Sequence, residues 1–337
     1  MTDAAAPYAP TPAPDRNLAL ELVRVTEAAA MATGRWVGRN DAAGALAAAV
    51  NAVRTMIGTV EMKGTIVIGG GTDDEVRLSR GDRVGEGSGG HYDVAVDPIH
   101  GITFIAKGLS HAMSVLAVAP SGAMFDPSAC LRIDKLVAGR EARDQLDIRR
   151  PVAENIHRLA KVMGRQVEDV TVGMLARPYH EELAREVREA GARIRFLTGG
   201  DVSAAIMAAS PRTGIDILIG LGGTAEAVIA ACAVKCLGGV LQGRLSPRDA
   251  TEEVRLQTAG VDLDAVLECD DLVCGDDAFL VLTGVTDGDL VAGVQYGPDT
   301  ATTDSLVMRA RSGTVRRMQS DHRLDQLARY SAVDYRH

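Results

Sequence analysis

The sequence predicts an α/β protein built from two α/β halves. Three features carry that reading: two helical patterns near the start, a run of short strands separated by Gly-rich turns, and a regular helix–strand alternation from about Pro151 onward. With 337 residues and 46% hydrophobic content, the chain has enough apolar mass for a large core and suits two subdomains better than one. Only 3% is aromatic, so that core must be made of Ala, Val, Leu and Ile.

Residues 1–14 are rich in Ala and Pro and read as a disordered tail. Asp15 or Asn17 suits the cap of a first helix to about Ala32, where Leu18, Leu22, Val25 and Ala29 recur at helical spacing. Asp41 caps a second, Ala-rich helix to about Ile57, with Leu46, Val50, Val53 and Met56 on its apolar stripe. Strands at 65–68, 92–96 and 114–118 follow, and the two helices cover the sheet they form. These elements make an N-terminal half, 15–150. The C-terminal half, 151–337, alternates helices at 154–163, 181–190, 202–209 and 225–237 with strands at 171–175, 194–197 and 215–219, the pattern of a parallel sheet. Strands at 279–285, 306–311 and 315–320 are expected to return and close this second sheet.

Composition excludes several classes. A net charge of −9, with no basic stripe interleaved with aromatics, argues against a nucleic-acid binder. No apolar run approaches the roughly 18 residues of a membrane span, and the start lacks a basic segment followed by an apolar core. The five cysteines have neither the spacing of a zinc site nor that of a disulfide framework, and Cys232 and Cys236, one helical turn apart, read as buried small hydrophobes. A cytoplasmic protein fits these traits.

The most informative stretch is Asp93-Val94-Ala95-Val96-Asp97-Pro98-Ile99-His100-Gly101-Ile102, an apolar strand ending in an acidic turn. A carboxylate where a strand breaks at a Pro-Ile-x-Gly turn sits on a rigid platform aimed into a cleft, an arrangement that holds the ion of a metal-dependent phosphatase. The segment resembles the Asp-Pro-Ile-Glu-Gly-Thr signature of class II fructose-1,6-bisphosphatases, in the lithium-sensitive sugar-phosphatase superfamily. The resemblance runs from about Leu18 to His322 through Glu21-Leu22-Val23-Arg24-Val25-Thr26-Glu27-Ala28-Ala29, Gly64-Thr65-Ile66-Val67-Ile68-Gly69, Gly220-Leu221-Gly222-Gly223-Thr224-Ala225-Glu226 and Arg316-Arg317-Met318-Gln319-Ser320-Asp321-His322. It implies a layered α-β-α-β-α sandwich with the active site between the halves, phosphate-ester hydrolysis of a sugar phosphate, a divalent ion (Mg²⁺ or Mn²⁺), and a homo-oligomer.

The resemblance also implies roles. Asp97 and Glu226 match metal-binding acids, the Ile99 carbonyl offers a further oxygen, and Asp74 matches the acid that helps activate water. Arg177-Pro178-Tyr179-His180 matches a Lys-Pro-Arg-His phosphate-binding segment, keeping a cation at Arg177 and replacing the second by Tyr179. Asp201 matches an acid for sugar hydroxyls, Arg132 falls at a substrate-contacting tyrosine, and the amides of Gly222 and Gly223 can meet an anion. Departures run in one direction: Leu46 and Gly70 stand at two metal-binding acids, Thr72 at a further Glu, His100 at the Glu of the turn, Ile102 at its Thr and Ala42 at a Lys.

Plainer readings stand beside these. Asp97 as a turn cap, Glu226 on a solvated first turn, Asp74 in an acidic surface loop and Gly222-Gly223 as conformational glycines all fit the sequence. His100 has three readings: a ligand beside Asp97 and Glu226 in a single-metal site, a turn residue bonded to a neighbour, or a general acid or base near neutral pH. Three functions follow. The first is a divergent metal-dependent sugar phosphatase holding one divalent ion or none; the second is non-hydrolytic chemistry on a sugar phosphate, such as isomerisation, elimination or cyclisation; the third is a non-catalytic sugar-phosphate-binding protein.

Overall fold

The computed structural model describes residues 18–73, 76–331, 333 and 335. The Ala/Pro-rich tail, the caps expected at Asp15 or Asn17, and Asp74 lie outside the described residues. The first helix is Ala19–Gly34 and the second Ala42–Ile57. Asp41 caps the second as its side chain predicts, Oδ1 accepting from the Gly44 amide at 2.8 Å.

Two large sheets follow. The first runs in the order Gln295–Tyr296, Thr300–Arg309, Phe279–Gly284, Met113–Pro120, His91–His100, Lys63–Ile68, Arg83–Val84, with Thr314–Arg323 paired along the outer side of Thr300–Arg309. The second runs Leu267–Glu268, Val240–Leu245, Arg132–Ala138, Ile217–Gly223, Thr171–Leu175, Arg193–Leu197. Contrary to the expectation from their order in the chain, the strands near the C-terminus do not close the second sheet. Phe279–Gly284 instead pairs antiparallel with Met113–Pro120 in the middle of the first. Its alternation explains the choice: Phe279 and Val281 pack under the two N-terminal helices while Leu280 and Leu282 face the middle of the molecule, so both faces are buried.

The parallel pattern holds where Thr171–Leu175 lies between Ile217–Gly223 and Arg193–Leu197. Arg132–Ala138 and Val240–Leu245 add an antiparallel portion that the sequence reading did not place. In the first of these, Asp134 and Lys135 interrupt the apolar run and hide the strand.

The layers come from which residues share a core. Helices Asp201–Ala209 and Thr224–Leu237 lie between the sheets, burying Ile206, Val228 and Ile229 against Val115 and Leu280 of the first and Ile133, Val137 and Leu218 of the second. Helices Val152–Met163 and Glu181–Glu189 cover the outer face of the second sheet through Ile156, Leu159 and Val187. The result is the α-β-α-β-α sandwich. Cys232 and Cys236 are buried in the middle layer. Among the described residues, no helix is long and apolar enough to cross a membrane.

Candidate active site

The acidic turn is built by a break in the ladder. His91–His100 stays in register with Met113–Pro120 up to Asp97, slips between Asp97 and His100, and then meets Gly101 in the left-handed region at φ 88°. Gly101 admits that conformation without strain, and a Cβ there would come within 2.6 Å of the Phe104 ring. The short helix Ile102–Lys107 follows. Asp97 and His100 are thus aimed to one side of the sheet end, into a cleft of about 510 Å³.

The same cleft is lined by Ile99, Arg132, Arg177, Tyr179, Asp201, Gly222, Gly223 and Glu226. The structure therefore gathers every described residue that the sequence singled out for the site. They come from strand ends and helix starts: Asp201 opens the helix Asp201–Ala209, and Glu226 lies in the first turn of Thr224–Leu237.

His100 is buried, and its Nδ1 is 2.8 Å from Asp97 Oδ2. Its Nε2 is buried with no hydrogen-bond partner. Burial pulls the imidazole pKa down, but the bond and charge of Asp97, with the charges of Asp201 and Glu226, outweigh it and leave the pKa raised. A protonated ring bonded to Asp97 is the form this environment favours.

Lys135, which the sequence reading missed, is 2% exposed, and its Nζ lies 2.5 Å from Asp201 Oδ2. Burial alone would raise the Asp201 carboxyl; the charge and hydrogen bond of Lys135, with the charge of His100, hold it below its usual range. Glu226 goes the other way: burial and the Asp201 charge push its pKa up. The signal for Lys135 in the sequence is a basic residue beside Asp134 in a segment whose other inner positions include Ile133, Leu136 and Val137.

Gly222 and Gly223 are required by space rather than by turn geometry. A Cβ on Gly222 would run into Lys135 Nζ and come within 2.6 Å of Asp201 Oδ2, and one on Gly223 would strike the Glu226 carboxylate. His180, the last residue of the Arg177–His180 segment, supports this strand: its Nδ1 bonds the Leu175 carbonyl at 2.9 Å and its Nε2 accepts from the Leu221 amide at 2.8 Å.

Two cations border the cleft. Arg177 donates from Nη1 to the carbonyls of Ala176 and Thr198 at 3.1 and 3.0 Å, fixing its fork over the loop. Arg132 donates from Nη2 to the Pro247 carbonyl at 2.6 Å while its buried Nε has no partner. Thr224 Oγ1, next to the glycine turn, is likewise buried and unpartnered. Unsatisfied donors beside an amide-lined turn are what an anion would complete.

The positions that depart from the family signature are filled. Leu46 packs against the core under the N-terminal helices, and Ile102 packs with Ile99 and Phe104. A Cβ on Gly70 would come within 2.6 Å of Pro98 Cδ, and one on Gly199, where the resemblance puts the first acid of an Asp-Gly-Asp segment ending at Asp201, within 2.8 Å of Phe104 Cζ. Among the described residues, no three His, Cys, Asp or Glu side chains stand together as a metal cage. Among the described residues, Asp97 and Glu226 are the acids matched to metal ligands that line the cleft, a donor set that fits a Mg²⁺-like ion keeping most of its waters.

Comparison with known proteins agrees in one direction. The family described as bacterial fructose-1,6-bisphosphatase, glpX-encoded, matches residues 16–322. The chain is 37% identical over 325 residues to fructose-1,6-bisphosphatase 1 class 2 of Escherichia coli K12, covering 92% of this chain and 96% of that protein. It is equally similar to the class 2 fructose-1,6-bisphosphatases of Escherichia coli O6:H1 and Shigella flexneri, each 37% identical over the same 325 residues.

Proposed function

The chain belongs to the bacterial class II fructose-1,6-bisphosphatase family, and from that membership we propose that it is a sugar-phosphate phosphatase assisted by one divalent ion. The observation that carries this is the convergence of Asp97, Asp201 and Glu226 with Arg132, Arg177 and the Gly222–Gly223 amides around one cleft. Acids and cations lining one cleft suit a phosphomonoester whose hydroxyls meet carboxylates and whose phosphate meets donors.

Asp97 and Glu226, with the Ile99 carbonyl, would hold the ion, Mg²⁺ or Mn²⁺. Such an ion supplies Lewis-acid polarisation of the phosphoryl oxygens. The chain's own residues do the rest. Arg177 and Arg132 bind and orient the phosphate, Asp201 accepts from a sugar hydroxyl, and Lys135 keeps Asp201 ionised while doing so. His100, oriented by Asp97, offers a proton at Nε2 to a leaving oxygen. Asp74 belongs to the proposal as the acid that orients water.

The site takes residues from both proposed halves, 15–150 and 151–337. A cytoplasmic setting and a homo-oligomer are parts of the same proposal; the first rests on five unpaired thiols.

The test is incubation with fructose 1,6-bisphosphate and a panel of sugar monophosphates with Mg²⁺ or Mn²⁺, following free phosphate and substrate mass together. Phosphate release from at least one sugar phosphate is the expected result, and none from any would end the hydrolytic reading. A second reading, non-hydrolytic chemistry on the bound sugar phosphate, is favoured by one feature: the buried, unpartnered His100 Nε2. It expects a change of mass or retention without phosphate release, abolished in His100→Ala. An unchanged ligand that still raises the melting temperature would indicate a binding protein.

A further inference from the structure

A second cavity, of about 340 Å³, adjoins the cleft across a shared wall, because Tyr179 and Leu221 line both. Leu221 pairs with Asp134 across the antiparallel ladder, so the strand that delivers Gly222 and Gly223 to the cleft also floors the neighbouring space. Tyr179 stands at the boundary. The residue is 55% exposed, and its ring packs edge-on against the His180 ring, with centroids 4.6 Å apart and planes at 75°. His180 is itself fixed by two backbone bonds, to Leu175 and Leu221. The boundary between the cavities therefore carries an aromatic face on a rigid support.

The two spaces differ in charge. The cleft has Arg132 and Arg177. Among the residues lining the second cavity, Arg150 is the one arginine or lysine, and its Nη1 is 2.7 Å from Glu154 with its Nε 4.0 Å from Asp147. Both nitrogens of His180 are taken, and Asp134 adds a carboxyl. A second phosphate there would meet no uncommitted cation. Leu136, Ile148, Val152 and Ile219 give the cavity an apolar wall, and Asp134 and Ser246 add an acceptor and a hydroxyl. That mixture matches a sugar ring, whose C–H faces stack on aromatic and aliphatic surface while its hydroxyls seek acceptors.

We infer that this site is built for a phosphomonoester whose far end is an uncharged sugar ring. The phosphate sits in the cleft against Arg132, Arg177 and the Gly222–Gly223 amides, and the uncharged ring crosses Tyr179 into the second cavity. The inference rests on the sugar-phosphate reading above and sharpens it, with Tyr179 as the residue that sets specificity.

Isothermal titration separates recognition from turnover. Wild type, Tyr179→Ala and Tyr179→Arg are titrated with two disaccharide monophosphates, trehalose 6-phosphate and sucrose 6-phosphate, and with fructose 1,6-bisphosphate. At least one disaccharide monophosphate is expected to bind wild type about tenfold more tightly than the bisphosphate. Tyr179→Ala should weaken that compound about tenfold while moving the bisphosphate by about twofold or less, and Tyr179→Arg should narrow or reverse the preference. Tighter binding of the bisphosphate by wild type, an equal loss of both ligands in Tyr179→Ala, or no binding of any of the three would overturn the inference. Phosphate release is followed in parallel. A preserved binding preference without hydrolysis would sink the phosphatase reading and leave the recognition standing.

Discussion

Lys135 Nζ lies 2.5 Å from Asp201 Oδ2, and both side chains are almost wholly out of solvent. The pair joins the Arg132–Ala138 strand of the second sheet to the first turn of a helix in the middle layer, and Gly222 lies against it with no room for a Cβ. Lys135→Met leaves the Asp201 charge buried without its partner, which costs about 3–5 kcal/mol. Denaturant unfolding should show that loss, and the double variant Lys135→Met, Asp201→Asn should recover a large part of it. A loss below about 1 kcal/mol in the single variant, the size of a surface pair, would mean the carboxylate has other support.

The same pair sets an acid limit. The Asp201 carboxyl is held below its usual range in the folded protein, so its contribution is fully present above about pH 3.9, the unfolded value, and is lost as pH falls through the folded one. Melting temperatures from pH 2 to 6 should show the gap between wild type and Asp201→Asn closing toward the acid end. A gap that is constant across that window would assign the effect of Asp201 to packing rather than charge.

Glu226 has the opposite sign. Its pKa is raised by burial and by the Asp201 charge, so the folded state favours the protonated acid and loses stability as pH rises through the folded value. Glu226→Gln should melt at a higher temperature than wild type at pH 7, with the advantage shrinking in acid. The same substitution should remove the stabilisation that millimolar Mn²⁺ gives to wild type. An undiminished Mn²⁺ effect in the variant would exclude Glu226 as a ligand.

These three side chains show what a sequence can and cannot disclose. Asp97, Asp201 and Glu226 are legible through the motif resemblance, and Asp97 and Glu226 also because they stand at strand-to-turn and strand-to-helix junctions. Lys135 is not, because its partner is 66 residues away and only the stacking of the second sheet on the middle helices brings them together. His180 is a related case: the resemblance places it at the end of a phosphate-binding segment, while its bonds to backbone on two different strands come only with the assembled sheet. The six helices expected from the sequence match to within about two residues at most ends, since amphipathic spacing is local, whereas Ile102–Lys107, Ala250–Thr258 and Leu324–Tyr330 are not among them. The sheet membership of Phe279–Gly284 and Thr300–Arg309 depended on which buried face was free to receive them, and chain order carries no trace of that.

Gly70 tests whether the divergence from the family signature is a single missing side chain. The resemblance puts a metal-binding glutamate there, yet a Cβ at this position would come within 2.6 Å of Pro98 Cδ. Pro98 sits in the turn that aims Asp97, so relief by movement would disturb the remaining acid. Gly70→Glu should destabilise the fold by about 1–3 kcal/mol through overpacking and should not tighten Mn²⁺ binding. Tighter Mn²⁺ binding in the single variant, measured by titration calorimetry, would show that the turn adapts and that the loss of this acid alone weakened the site.

His180 offers a test of how rigidly the anion-binding turn is held. Its neutral ring donates from Nδ1 to Leu175 and accepts at Nε2 from the Leu221 amide, bridging two strand ends just before Gly222. His180→Ala leaves the Leu221 N–H and the Leu175 carbonyl without partners, a cost of about 1–3 kcal/mol for each one that water does not reach. The effect on function should exceed that on the fold, because Leu221, Gly222 and Gly223 are consecutive and a freed amide propagates directly to the turn. Hydrogen exchange should therefore quicken at Leu221 through Gly223 while the amides of Ile217 and Leu218 stay protected. His180→Gln, which keeps a side-chain acceptor and a donor, should restore part of the protection and part of the binding of a sugar phosphate. Faster exchange throughout the second sheet would identify His180 as general packing, whereas a change confined to those three amides would make it the residue that positions the turn.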